Sequence, residues 1–358
     1  MKSIVVNDPV VKSYEIGSDS APFVIAEVSC NHNGALERAF EIIEAAAKTG
    51  AQAVKFQTYT ADTMTIDIDE GEFAIQDEKS LWKGYNLYKL YQEAYTPWEW
   101  HKPLFDKVRE CGMIPLSSPF DATAVDFLEK ECQPGIYKIA SFENTDIPLI
   151  EKVAKTGKPM IISTGMATAE ELEESVQAAR DAGCNEIILL QCTSAYPSDA
   201  EDANLATIPD MRERFGVQVG LSDHTLGLAV PLVATALGAT VIEKHFTLRR
   251  ADGGHDSAFS LEPQELADLV NESKRAWQAQ GKVTYGMNTD KEKQSYLHRR
   301  SVYVVQDVKK GETFNAENVR AIRPGLGLPP KHMKTLIGKA AATDLKRGTP
   351  MKEEYIGA

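Results

Sequence analysis

Eight short β-rich runs, alternating with helical patterns over the first two-thirds of a 358-residue chain, predict a (β/α)8 TIM barrel. Two observations favour the closed barrel over an open doubly wound sheet: the count is eight, and no GxGxxG follows the first strand. A third observation, a change of pattern near residue 285, predicts a small second domain of short strands and turns.

The predicted strands are FVIAEVS (23–29), AVKFQ (53–57), MIPLSS (113–118), IYKIAS (136–141), PMIIST (159–164), EIILLQ (186–191), VQVGLS (217–222) and TVIEKH (240–245). Most are nearly continuous apolar stretches, as expected of parallel strands covered on both faces. Helical patterns lie between them, for example at 35–51, 168–184 and 227–239. Thr168 followed by Glu171 reads as a capping box. Gly50, Gly157, Gly183 and Gly238 stand where helix C-termini are expected. The stretch 61–100 is longer than an ordinary βα connection and rich in charge and aromatic rings. It is expected either to face substrate or form a lid, or to act as a peripheral packing or dimer element. The expected boundaries are a barrel at 1–284 (with 1–20 an N-terminal extension), a linker at 285–294 and the second domain at 295–358. The second domain is too small to be strongly stable alone and is expected to lean on a barrel.

Composition narrows the function. Hydrophobic residues make up 43% and charged residues 25%, which is ordinary globular composition. Thirty-nine basic residues against 52 acidic ones give a net charge of −13, which disfavours nucleic acid as a partner. A few focused lysines still suffice for an anionic substrate. No apolar run reaches membrane-span length, and Asp8 and Pro9 interrupt the start before a signal-peptide core develops, so a cytoplasmic protein is expected. The five cysteines, an odd number without CxxC spacing, read as buried reduced thiols.

Barrel chemistry sits at the C-terminal strand ends, and here every end carries polar side chains. They run from Glu27, Ser29 and the CNHNG turn with His32, through Lys55 and Gln57, Ser117 and Ser118, Lys138, Ser141 and Glu143, and Ser163 and Thr164. Gln191, Thr193, Ser194, Tyr196, Ser222, Asp223, His224, Glu243, Lys244 and His245 complete the set. Lys55 and Lys138, inside apolar strands, need fixed negative partners, and a phosphate or carboxylate ligand supplies one. The competing reading is internal pairing, Lys55 with Glu27 and Lys138 with Glu143. His224 and His245 end neighbouring strands, about 4.8 Å apart in a parallel sheet, so the two imidazoles can meet on one cation. Two imidazoles with oxygen donors and no thiolate cluster suit an open, partly hydrated site for Mn²⁺ rather than closed zinc. Glu243 is expected on the opposite side of its strand from Lys244, which leaves its place in the site doubtful.

These residues resemble the sialic acid synthase family, the phosphoenolpyruvate-condensing nonulosonate synthases. The matching stretches follow the family's order: IAEVSCNHNG, AVKFQT, SSPFD, YKIASFENTDIPLI, KPMIISTGMA, CTSAYP, GLSDHTLG, EKHFTL and GGHDSAFSLEP. The tail with VKKGE, AIRPGLG and LKRGTPM is similar to the family's antifreeze-like (SAF) domain. Within the family, YKLYQEAYTPWEWHKPLF and GGHDSAFSLEP look most like the pseudaminic acid synthases.

The resemblance implies that His224 and His245 bind a divalent metal, Mn²⁺ first and Mg²⁺ or Co²⁺ as alternatives. It implies phosphoenolpyruvate contacts from Lys55, Ser118, Lys138, Ser141, Ser163 and Ser222. Glu27 and Glu143 look like active-site carboxylates, and Asp256 like a metal-water or sugar contact. Phe120 in SSPFD, and Ser194 and Tyr196 in CTSAYP, are expected to line the substrate site; Ser194 stands where some relatives have asparagine. Arg323 is implied to reach the active site of a partner subunit in a domain-swapped homodimer, with the SAF domain over the partner barrel. The implied reaction joins phosphoenolpyruvate to the aldehyde of 2,4-diacetamido-2,4,6-trideoxy-L-altrose, adds water and releases phosphate by C–O cleavage. N-acetylneuraminate or legionaminate synthesis is the alternative within enzymes, covalent lysine catalysis the mechanistic rival, and a sugar-phosphate-binding protein on a disabled barrel the non-enzyme alternative.

Overall fold

A computed structural model describes residues 2–76 and 83–357. The chain forms two compact units, Met1–Gly281 and Lys282–Ala358. The first opens with a two-stranded hairpin, β1 (Ile4–Val6) and β2 (Tyr14–Ile16). Eight parallel strands follow: β3 (Phe23–Glu27), β4 (Ala53–Thr58), β5 (Ile114–Pro119), β6 (Tyr137–Ile139), β7 (Met160–Ser163), β8 (Ile187–Cys192), β9 (Gln218–Asp223) and β10 (Val241–His245). They close into one barrel, with β10 paired to both β9 and β3.

Strict alternation along the strands divides the barrel. Outward residues such as Val24, Val54, Ile162, Leu189 and Ile242 pack on the surrounding helices. Inward residues form a separate apolar floor: Phe23, Ile25, Ala53, Ile114, Leu116, Ile161, Ile188, Leu190 and Val241. Ile4, Val6 and Ile16 of the hairpin join that floor, so the N-terminal extension plugs the barrel's lower end. One inward step beyond the floor, the residues turn polar.

The helices begin and end where local chemistry dictates. Leu36–Thr49 stops at Gly50, whose left-handed backbone (φ 86°) suits a residue without Cβ. Ala169–Asp181 starts at the Thr168–Glu171 capping box, with both reciprocal bonds made.

The long connection after β4 lies over the strands' C-terminal ends; its residues 77–82 fall outside the described set. Thr96 bonds the His32 ring at 3.2 Å, Trp98 donates its indole N–H to the Tyr59 carbonyl at 3.0 Å, and Tyr85 packs edge-on against His255 at 5.9 Å. The segment is therefore built onto the catalytic face. His32 serves as its buried anchor, and burial holds that imidazole down at about 4.

The second unit pairs β11 (Ser301–Val304) with β12 (Val319–Ile322) and has its own small core, including Val302, Phe314, Leu336 and Met351. Among the described residues no helix is long and apolar enough to cross a membrane.

Ile16 is 1% exposed within the barrel floor. Ile16→Ala is expected to lower unfolding stability by about 2–5 kcal/mol, read by urea denaturation, because the plug cannot collapse into the gap. A loss under about 0.5 kcal/mol would show that the hairpin is not part of the cooperative core.

Candidate active site

The polar layer above the floor is a buried charge cluster. Register sets Glu27 directly opposite Lys55 on one side and His245 on the other. Lys55 Nζ lies 2.8 Å from Glu27 Oε2, 3.6 Å from Glu243 Oε1 and 3.3 Å from Ser118 Oγ. Lys138 Nζ reaches Glu243 Oε1 at 2.8 Å. All four charged side chains are buried. Two ammonium groups thus meet two carboxylates, and internal pairing accounts for both lysines in the free protein.

Two expectations are corrected here. Lys138 pairs with Glu243, not with Glu143. Glu243 also stands inside the barrel, because Val241, Glu243 and His245 share the inward phase and Lys244 points out. Lys244 is neutralised behind the sheet by Asp223 at 2.9 Å and bonds the Thr225 carbonyl. Several other polar strand-end residues face the helices as well. Ser117 bonds Thr58, Gln191 bonds the Ala203 carbonyl, and Thr164 bonds the Leu190 carbonyl.

The remaining inward groups surround the cluster. Ser222 Oγ lies 3.4 Å from Glu243. Ser163 is 2% exposed, and its hydroxyl has no partner. Ser141 Oγ accepts the Gly165 N–H at 3.2 Å. A Cβ at Gly165 would overlap the Ser141 and Ser194 hydroxyls, so glycine lets the backbone approach both. Cys192, on the same inward phase of β8, lies 4.0 Å from Ser194 Oγ; all five cysteines are free.

His224 and His245 face one another with ring centroids 5.4 Å apart. His224 Nδ1 bonds the Thr193 carbonyl at 3.0 Å, and the ring also interacts with the Cys192 thiol. His245 Nδ1 is buried without a hydrogen-bond partner; Asp256 Oδ2, held by Ser29 Oγ at 2.5 Å, lies 3.5 Å away. Tyr196 packs on His224 at 4.3 Å and Phe259 on His245 at 5.0 Å. Among the described residues no group of three or more His, Cys, Asp or Glu is arranged to hold a metal ion. The two imidazoles with open positions between them fit an ion that completes its shell with water and substrate.

A model of the NeuB family matches residues 42–285, and a model of the SAF domain matches residues 299–354. The chain belongs to the NeuB family. The pseudaminic acid synthase of Campylobacter jejuni is 43% identical over 336 residues, covering 94% of this chain and 97% of that protein. An N,N'-diacetyllegionaminic acid synthase of the same species is 36% identical, covering 92% and 98%. The crystal structure of an N-acetylneuraminic acid synthetase from Leptospira borgpetersenii superposes with a TM-score of 0.71 at 32% identity, covering 82% of this chain and 96% of that one.

Burial and charge set the protonation pattern of this NeuB-family barrel. Burial pushes Glu27 up, against the pull of Lys55. Burial also acts on Glu243, but Lys138 and Lys55 together hold it below the usual range. Glu243 bonds Lys138 at 2.8 Å and lies 3.6 Å from Lys55, so both ammonium groups favour its anion. Burial lowers Lys138, whereas for Lys55 the Glu243 and Glu27 carboxylates more than offset burial. Glu143 lies in the turn after β6; burial, with Asp146 adding, pushes it up to about 7, and its Oε2 has no partner. Phe120 is half-buried against Tyr59 at 5.2 Å. Arg323 lies exposed in the second unit, after β12, with no ion-pair partner among the described residues.

A raised carboxyl pKa means that folding disfavours the anion. The contribution of Glu143 to stability is therefore fullest below the ordinary glutamate range and is lost as pH rises through about 7. Glu143→Gln is expected to unfold at higher urea than the parent at pH 8, by about 1–3 kcal/mol, with the gap closing at pH 4.5. An unchanged or larger gap at acid pH would contradict the assignment.

Proposed function

We propose that this chain is a pseudaminic acid synthase. It would join phosphoenolpyruvate to the open-chain aldehyde of 2,4-diacetamido-2,4,6-trideoxy-L-altrose, with water consumed and phosphate released. The observation that carries the reading is the convergence of Lys55, Lys138, Ser118, Ser141 and Ser163 on one mouth with His224 and His245, in a chain 43% identical to a synthase of that name.

The chain's own groups have separable tasks. Lys55 and Lys138 bind the anionic ends of phosphoenolpyruvate, with Ser118, Ser141, Ser163, Ser194 and Ser222 donating to its oxygens. This holds C3 of the enol phosphate in line with the aldehyde carbon. His224 and His245 would hold a divalent ion, Mn²⁺ by preference. That ion, when bound, supplies Lewis-acid polarisation of the aldehyde oxygen. The C3–C1 bond forms as the aldehyde oxygen takes up a proton, and cationic character appears at C2 of the phosphoenolpyruvate unit. Glu27 and Glu243, fixed in the cluster, stabilise that charge. Glu143, poised near neutrality, accepts a proton from the water that adds at C2. The C2–O bond to the phosphate oxygen then breaks, phosphate leaves with the bonding pair, and the C2 hydroxyl gives up its proton to the departing phosphate, so that the 2-keto acid remains. Asp256 and Tyr196 line the sugar side.

The same reading includes a cytoplasmic homodimer in which Arg323 reaches the partner's barrel. Phe142, Met166 and Leu226, in turns after β6, β7 and β9, are 61–64% exposed, an apolar rim that a covering surface would bury. Leu326, three residues from Arg323, is 60% exposed.

The deciding assay is phosphate release from phosphoenolpyruvate with the altrose derivative, N-acetylmannosamine and the legionaminate precursor, with and without EDTA. Fastest metal-dependent turnover with the altrose derivative is expected. Faster turnover with either other sugar would reassign the substrate, and no release with any would favour a binding protein. His245→Ala is expected to abolish the EDTA-sensitive turnover while leaving the melting curve intact; full activity in metal-stripped variant would refute the ion's role. Arg323→Ala is expected to impair catalysis in the purified dimer, whereas a fully active monomer ending at residue 284 would end the exchange model.

A further inference from the structure

Three aromatic rings stand one level out from the charge cluster. Tyr59 follows the last residue of β4, Phe120 follows β5, and Tyr91 comes from the insertion helix Leu87–Ala94. Tyr59 meets both edge-on, with centroids 5.8 Å from Tyr91 and 5.2 Å from Phe120. It is 4% exposed, and its carbonyl is pinned by the Trp98 indole. Yet the Tyr59 hydroxyl has no hydrogen-bond partner among the described residues, nor has that of Tyr91. Neither hydroxyl is among the buried polar atoms left without a partner, so each oxygen is open to a ligand while its ring is packed. Burial pushes both phenols up, with Asp256 and Glu27 among the charges that add at Tyr59 and Glu143 adding at Tyr91. The insertion carrying Tyr91 is itself clasped to the Asp256 loop, through His255 against Tyr85 and Glu93.

We infer that Tyr59 and Tyr91, backed by Phe120, form a specificity subsite for an acetamido group on the distal part of the sugar, the group that a mono-acetamido sugar lacks. An acetamido group combines a methyl, which packs on ring faces and edges, with an amide that hydrogen-bonds a phenol. A sugar hydroxyl at that place offers no methyl to the rings. The inference rests on the proposed sugar condensation. There, an aldehyde held at the imidazoles of β9 and β10 directs its distal carbons outward, toward the rim where these rings stand.

The test compares kcat/KM for the 2,4-diacetamido sugar and for N-acetylmannosamine in the parent, Tyr59→Phe, Tyr91→Phe and the double variant. Each loss of a hydroxyl is expected to raise KM for the diacetamido sugar roughly 5-fold, and the double variant to lower the specificity ratio on the order of 10–30-fold. KM for phosphoenolpyruvate is expected to stay within about twofold, which a general loss of structure would not allow. An unchanged ratio, or equal losses for both sugars, overturns the subsite while leaving the parent's activity, and so the proposed reaction, intact. If the parent turns over neither sugar, the reaction and the subsite fall together.

Discussion

Four charges inside a barrel organise everything around them. Glu243 bonds Lys138 at 2.8 Å and shares Lys55 with Glu27, all of them buried. Taking such ions out of water costs several kcal/mol each, and mutual attraction repays this only when geometry is excellent. An apolar filling of the same volume would be no less stable. Stability alone therefore does not account for a cluster of this kind at the strand ends. Its neutrality is local: under the proposed reaction an incoming phosphate and carboxylate would compete with Glu243 and Glu27 for the same ammonium groups. Binding must redistribute these pairs, and carboxylates pushed up by burial are the groups able to accept protons as it does.

The apolar floor makes that cluster affordable. Ile25, Ala53, Leu116 and Leu190 fill the lumen below it, and Ile4, Val6 and Ile16 close the lower end. The same asymmetry explains the fixed register. Slipping any strand by one residue would swap its inward polar residue with an outward apolar one. In β10 such a slip would put Lys244 beside Lys55 and Lys138, three ammonium groups in one dry space.

Much of this was legible before any coordinates. The eight apolar runs and their caps define the strands and helices because parallel strands covered on both faces leave a strong compositional trace. The meeting of His224 and His245 follows from adjacency of the last two barrel strands. What escaped has one geometric cause. Glu243 and Lys138 lie on β10 and β6, four strands apart in a ring of eight, and touch across the lumen. Pattern along one strand says which side chains share a face, but closure decides which opposing faces meet. Assigning Lys244 inward would have required a partner there; its partner Asp223 was visible at the matching outward phase of β9. The plugging role of the N-terminal hairpin left no signal beyond two short alternating runs.

The division of labour between Glu27 and Glu143 follows from the same geometry. Glu27 is held from both sides, by Lys55 at 2.8 Å and by the Gln57 amide at 3.1 Å. Protonating it would strip Lys55 of one of its two carboxylates, so each proton it takes up disturbs the cluster. Glu143 sits outside the cluster, in the turn after β6, with a free Oε2 and a pKa of about 7. In the proposed reaction acid–base work would therefore fall to Glu143. The insertion then acquires a second purpose, because Tyr91 lies close enough to Glu143 to feel its charge. A sugar gripped by that ring would be placed beside the carboxyl that takes the water's proton, coupling recognition of the distal end to chemistry at C2.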